Sequence, residues 1–217
     1  MEKAEIQKAL AELKEKTPKR KFSQSIEIIF NIRGIDLKKT ENQQEFFVIL
    51  PYHRGKKINI CALVGPEVKE EAAKNCDKVV ITDDFSKYAE NKKEAKKLAK
   101  SFDFFIAQGD IMAKVAAAFG KALGPRGKMP NPKADCIITP KTTLKALAEK
   151  LQKTVKVSLK KAALIQAMVG NETTPEEQLL ENILSMYKQV IHALPQEKEN
   201  VRSVFLKMTM SPVVKIG

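Results

Sequence analysis

Apolar residues recur along this chain with two different periods, and the switches between them organise the reading. Residues 2–15 place Ile6, Ala9, Leu10 and Leu13 at the i, i+3, i+4, i+7 spacing of a helix with one buried stripe. Pro18 closes that helix. Over residues 25–32 the pattern alternates: Ile26, Ile28, Phe30 and Ile32 fall on one face of a strand, Glu27, Ile29 and Asn31 on the other. A polar loop over 34–44, a second strand over 45–50 and a turn over 52–57 lead to a third strand over 58–64. The third strand is almost wholly apolar, as expected where both faces are covered.

From there strand and helix take turns. After Gly65-Pro66, a helix is expected over 67–75, a strand over 79–82, a lysine-rich helix over 91–100, a strand over 102–107 and a helix over 111–123. A last helix over 142–153 carries Leu144, Leu147, Ala148 and Leu151. This rhythm predicts a parallel α/β sheet. Period two then returns, with 155–160 and 164–169 read as a hairpin about 160–163. Thr174-Pro175-Glu176-Glu177 reads as a helix start in which Thr174 caps and Glu177 completes a capping box. Leu180, Ile183, Leu184, Tyr187, Val190, Ile191 and Leu194 share one face of that helix, Pro195 stops it, and strands follow over 201–210 and 213–216. The two ends share one style and the middle has another. The expected fold class is therefore a two-domain α+β chain. A split α/β-sandwich domain forms from both termini, 1–60 and 154–217, and a Rossmann-like α/β domain with a parallel sheet is inserted over 61–153.

The stretch 122–134 breaks the rhythm. It sets Gly124, Pro125, Gly127, Pro130 and Pro132 around Arg126, Lys128 and Lys133. Glycine admits φ > 0 while proline fixes φ and removes a donor, so a stiff cationic loop is expected here, neither helix nor strand. It falls short of a phosphate-binding loop: Ala122 stands where the first glycine belongs, Met129 replaces the Mg²⁺-binding hydroxyl, and the loop follows a helix rather than a strand. A rigid surface turn accounts for the same residues. Leu123-Gly124-Pro125-Arg126-Gly127 with Met129-Pro130-Asn131-Pro132-Lys133 resembles the signature of the stalk protein of the large ribosomal subunit. That is the large-subunit ribosomal protein one ("L-one") family, in its archaeal form, and the likeness covers essentially the whole chain.

Charge agrees with a polyanionic partner. Lys and Arg number 39 against 26 Asp and Glu, a formal net charge of +13, spread over the outer and middle parts alike. No run approaches the ~18 apolar residues of a membrane span, so no membrane partner and a cytoplasmic location are expected. Cys61, Cys76 and Cys136 are odd in number and widely spaced, which fits buried thiols rather than disulfides or a metal site. With His53 and His192 the only histidines and no nucleophile-elbow, zinc or dinucleotide motif, no metal, cofactor or catalytic residue is expected. Asp83-Asp84 follows a strand but reads as a capping turn.

The RNA-binding material is richer. Lys19-Arg20-Lys21-Phe22 puts three cations beside an aromatic ring at a loop-to-strand junction, suited to phosphate and to a base or ribose. A solvated charge run with Phe22 in the core competes with this reading. The resemblance implies that Lys21, Phe22 and Glu27 belong to the family's RNA-contacting segment, with Glu27 accepting from a ribose 2′-OH. It also implies that Thr209-Met210-Ser211-Pro212 is the family's Thr-Met-Gly-Pro turn. Ser211 replaces its glycine, which puts a Cβ and a hydroxyl where bare backbone would approach RNA. Lys161 aligns with a further basic contact, beside Lys160. The resemblance implies a non-catalytic protein, monomeric when free, that binds large-subunit rRNA, forms the mobile stalk, acts in release of exit-site tRNA, and represses translation through its own mRNA. The rival classes are a phosphate- or nucleotide-binding α/β enzyme using the 124–134 loop, and a repressor that never joins ribosomes.

Overall fold

The computed structural model describes residues 2–138, 143–160 and 162–216; the expected helix start at Thr142 and the candidate contact Lys161 lie outside the described residues. In chain order the elements are α1 (Lys3–Lys16), β1 (Ser25–Ile32), β2 (Gln44–Ile49), β3 (Ile60–Val64), α2 (Lys69–Asn75), β4 (Lys78–Ile81), α3 (Phe85–Glu90), α4 (Lys92–Ser101) and β5 (Phe104–Gln108). They continue with α5 (Met112–Leu123), β6 (Ile137–Ile138), α6 (Leu144–Lys153), β7 (Thr154–Leu159), β8 (Leu164–Asn171), α7 (Glu176–Ala193), β9 (Val201–Met208) and β10 (Val214–Ile216). The chain divides into two compact units, Met1–Lys56 with Lys153–Gly217, and Lys57–Gln152.

In the first unit, the antiparallel sheet β10-β9-β1-β8 takes strands from both ends of the chain. Phe30 of β1 stands opposite Ile165 of β8 and Val204 of β9. The period-two face is the reason: Ile26, Ile28, Phe30 and Ile32 enter one core with Val204, Leu206 and Met208. The buried stripes of α1 (Ile6, Ala9, Leu10, Leu13) and α7 (Ile183, Met186, Val190) close the same core. Each of the larger side chains contributes about 1.5–3 kcal/mol on full burial, so strands from opposite ends of the chain are held by core formation rather than by local propensity. β2 and β7 form a separate antiparallel pair that adds Val48, Val155 and Val157 to this core.

The second unit is the parallel sheet β4-β3-β5-β6. β3 is buried at every position. Cys61, Leu63, Phe105 and Ala107 pack against Ala95, Leu98, Val115 and Phe119 from the flanking helices, and Phe85 meets Phe119 edge-on at 5.3 Å. Burial pushes the Cys61 thiol up to about 12 and those of Cys76 and Cys136 up to about 11, so all three stay protonated. Among the described residues no helix is long and apolar enough to cross a membrane.

Several elements differ from the sequence expectation. β7 and β8 do not form a hairpin: β7 is registered on β2 and β8 on β1, and among the described residues no ladder joins them. Alternation specifies which face of a strand is buried but not which strand it pairs with. Thr174 does not cap α7, because its hydroxyl is bonded to the Asn171 side chain at 2.8 Å; Pro175 takes the N-cap position without a side-chain cap. β3 starts at Ile60, β9 stops at Met208, and the short elements α3 and β6 carry too few residues to show a period.

Asn182 shows how a buried polar side chain is satisfied in the first unit. Asn182, wholly buried on α7, accepts from the Tyr52 N–H at 3.0 Å and donates to the Val169 carbonyl at 2.9 Å. Asn182→Ala strands both backbone groups and is expected to cost about 1–3 kcal/mol, read from the urea midpoint. Glu45 on β2 pairs with Lys156 and Lys160. Burial alone would raise its pKa, but these bonds and charges outweigh it and hold the carboxyl below its ordinary value. A lowered carboxyl pKa stabilises above the unfolded value and loses that contribution as pH falls through the folded one. Glu45→Gln should therefore destabilise by about 1 kcal/mol at neutral pH. That difference should shrink on acidification through and below the usual glutamate range; a difference constant with pH contradicts the assignment.

Candidate nucleic-acid interface

The residues singled out at 19–22 and 209–212 lie at one end of the β10-β9-β1-β8 sheet. Ile26 is opposite Met208, so the segment entering β1 and the turn leaving β9 are neighbours. Two hydrogen bonds join them directly: the Ser25 N–H donates to Thr209 Oγ1 at 3.1 Å, and the Met210 N–H donates to Gln24 Oε1 at 2.9 Å. Gln24 is wholly buried. Its Nε2 donates to the Pro18 carbonyl at 3.3 Å and to Glu172 Oε1 at 2.9 Å, and its N–H donates to Glu172 Oε2 at 3.1 Å. One amide thus ties the basic run, the β8–α7 loop and the turn after β9.

Among the described residues the exposed large apolar side chains are Phe22, Ile49, Met210 and Val213. Phe22 is 50% exposed and Met210 53%, so neither is a core side chain. Lys19, Arg20 and Lys21 are exposed. No ion pair among the described residues includes them. Ser211 is buried, its Oγ accepting from the Met208 N–H at 2.8 Å and lying 2.7 Å from the Pro212 carbonyl oxygen. Its backbone is not left-handed, since the non-glycine positive φ values among the described residues belong to Asp135 and Glu197. The side chain therefore closes the turn from within. Pro212 follows, exposed.

The sheet face opposite the core continues this surface. Glu27 is opposite Lys207 and Met168, Ile29 is opposite Phe205 and Gln166, and Phe205 is opposite Lys215. Asn31 donates to Ser203 Oγ at 3.0 Å. Phe205, Lys207 and Lys215 were not singled out in the sequence. The signal for Phe205 and Lys207 is the alternation in β9, which places them opposite Val204, Leu206 and Met208 and hence beside Glu27 once β1 and β9 pair. Gln24 and Glu172 give no sequence signal, because their partners are distant in the chain.

The 124–134 loop lies in the second unit. It is not wholly irregular: Gly124–Arg126 and Pro132–Ala134 are single 3₁₀ turns, separated at Gly127 by a left-handed backbone, φ +59°. The Gly127 and Lys128 N–H groups donate to Gly124 and Leu123 carbonyls. Lys128 Nζ donates to the carbonyls of Ala99, at 3.1 Å, and Phe102, at 2.6 Å, where α4 ends. Arg126 Nη1 donates to the Ala122 carbonyl, Asn131 Oδ1 accepts from the Lys133 N–H, Pro130 is buried, and Lys133 is exposed. Donors that a phosphate cradle needs are engaged within the loop and on a helix end. Asp84, the last residue of a 3₁₀ turn, does not cap α3 with its side chain as expected but pairs with Lys87 of α3 at 2.7 Å. Among the described residues no group of three or more His, Cys, Asp or Glu is placed to hold a metal ion.

The fold and this surface define a class, a basic two-unit α/β protein whose split unit presents exposed apolar side chains among unpaired cations. The family model described as "Ribosomal protein L1p/L10e family" matches residues 13–212. "Large ribosomal subunit protein uL1" of Nanoarchaeum equitans is 42% identical over 202 residues, covering 91% of this chain and 93% of the relative. The uL1 proteins of Pyrococcus abyssi and Methanothermobacter thermautotrophicus are each 37% identical over 213 residues, covering 97% and 98% of this chain and 94% and 98% of theirs. The chain belongs to the ribosomal protein L1p/L10e family: it is a protein of the large ribosomal subunit, hence of the cytoplasmic translation apparatus, and not an enzyme.

Gln24→Leu keeps the volume and removes the amide. The Met210 amide should then exchange its hydrogen faster while exchange in the second unit is unchanged; unaltered protection at Met210 would remove Gln24 from its positioning role.

Proposed function

We propose that the chain binds large-subunit rRNA through the sheet end that carries Phe22 and Thr209. We further propose that it forms the mobile stalk, acts in release of deacylated tRNA from the exit site, and represses translation by binding a like element in its own mRNA. The observation that carries the reading is the exposure of Phe22 and Met210 beside Lys19, Arg20 and Lys21, where water-exposed apolar area is otherwise unfavourable. The cations supply affinity by releasing counterions from the phosphates. Phe22 offers a face for a base or ribose. Thr209 Oγ1 accepts from the Ser25 N–H, which leaves its O–H to donate to a phosphate or 2′-OH, whereas the Met210 N–H is engaged by Gln24, so Met210 contributes through its thioether. Glu27 accepts a 2′-OH, a group DNA lacks.

Family membership supports the ribosomal destination, and an interface that reads one RNA element reads the same element in a messenger. The tRNA role rests on the resemblance alone. With a folded rRNA fragment, Phe22→Ala with Thr209→Ala should lose about 100-fold in affinity with an unchanged circular dichroism spectrum. Lys21→Ala should lower the slope of log K against log salt by about 0.7–0.9. Full affinity in the double variant contradicts the placement. Sucrose-gradient sedimentation away from large subunits would favour a repressor that never joins ribosomes.

A further inference from the structure

The turn after β9 is closed by a side chain, and the closure brackets both of its residues proposed to meet RNA. Met208–Ser211 is a four-residue turn: the Ser211 N–H donates to the Met208 carbonyl at 3.3 Å, and Thr209 and Met210 are the central pair. An ordinary turn of this kind carries that one bond or none. Here a second is added. Ser211 Oγ accepts from the Met208 N–H at 2.8 Å, so residues 208 and 211 exchange a bond in each direction, one of them through a side chain.

The strand register explains why a side chain is needed. Leu206 stands opposite Val214 in the β9–β10 pair, and continuing that register brings Met208 opposite Pro212. Proline has no N–H to give, so the ladder meets an incomplete partner there. The Ser211 hydroxyl stands between the two. It accepts from the Met208 N–H and donates to the Pro212 carbonyl at 2.7 Å, the nearer of two acceptors, the Met208 carbonyl being at 3.3 Å. Ser211 is 8% exposed and Met208 3%, so water has little access to replace the hydroxyl. Alanine or glycine at 211 supplies neither its acceptor nor its donor.

What this lock brackets is exposed. Thr209 and Met210 stand in solvent between its two ends. On the β1 side the Ser25 N–H holds Thr209 Oγ1 and Gln24 Oε1 holds the Met210 N–H. Those bonds fix where the turn sits, while the 208–211 exchange fixes how it is folded. Ser211 itself offers a ligand little, because its hydroxyl is turned inward and engaged on both sides. We propose that Ser211 is a positioning residue for RNA: by locking the turn it sets the Thr209 hydroxyl and the Met210 thioether in their binding geometry before RNA arrives. A turn already ordered loses less freedom on binding. The role rests on the reading of this sheet end as the RNA interface; the lock does not.

The test joins hydrogen exchange in the free full chain to binding of a folded rRNA fragment. Ser211→Ala should speed exchange at the Met208 amide and leave β8 and β5 unchanged. It should weaken RNA binding about tenfold, through faster dissociation at an unchanged association rate, because contacts are loosened and not removed. The slope of log K against log salt should stay the same, since no cation is touched. In a chain already carrying Thr209→Ala and Met210→Ala, at low salt where Phe22 and the cations still hold the fragment, adding Ser211→Ala should cost less than about twofold. Equal losses in the two backgrounds would make Ser211 a structural residue only and overturn the proposal. Unaltered Met208 exchange, full affinity in the single variant or a lowered salt slope would overturn it too. The interface reading fails separately: full affinity in the Phe22→Ala, Thr209→Ala variant removes the interface, whereas Met208 exchange is read without RNA.

Discussion

A single buried amide ties together the sheet end proposed as the RNA interface. Gln24 has no exposed surface, and its side chain and backbone bond Pro18, Glu172 and Met210, three segments separated by nearly the length of the chain. An unpaired amide in that position would be costly, so the segments are held wherever the amide is satisfied. The hydrophobic core brings β1 and β9 side by side, but core packing is non-directional and does not aim a turn. The Gln24 bonds and the Ser25–Thr209 bond supply direction, setting the basic run and the 209–212 turn on one edge.

That division of labour separates affinity from selectivity. Lysines 19 and 21 and Arg20 are exposed and carry charge that any polyanion attracts. The groups proposed to tell RNA from other polyanions are anchored: Thr209 by Ser25 and Glu27 by its place in the central part of the sheet. Flexible cations on a fixed polar frame suit a partner that is first captured and then read.

Much of the fold is legible in the sequence because it follows from period. The alternation of Ile26, Ile28, Phe30 and Ile32, the helical stripe at 6–13 and Leu180, Ile183, Val190 and Leu194 of the α7 stripe translate into the core of the first unit, with Leu184 and Tyr187 packed at its margin. Pairing is less legible. β7 alternates as a hairpin strand would, yet its partner is β2, because nothing local in 155–169 distinguishes one neighbour from another. Side-chain use is least legible. Lys128 sits among glycines and prolines like a phosphate ligand and instead holds the end of α4, while Thr174 looks like a cap and instead bonds Asn171. Gln24 is an unremarkable polar residue until residues 172 and 210 arrive beside it.

The central claim is that two distant segments of the chain read one stretch of RNA together. It is tested most directly by placing a photo-crosslinking side chain at Phe22 in one preparation and at Met210 in another, then sequencing the RNA captured by each in ribosomes. The account predicts crosslinks to the same or adjoining nucleotides of a single large-subunit rRNA element. Crosslinks to unrelated elements, or to none, would contradict it.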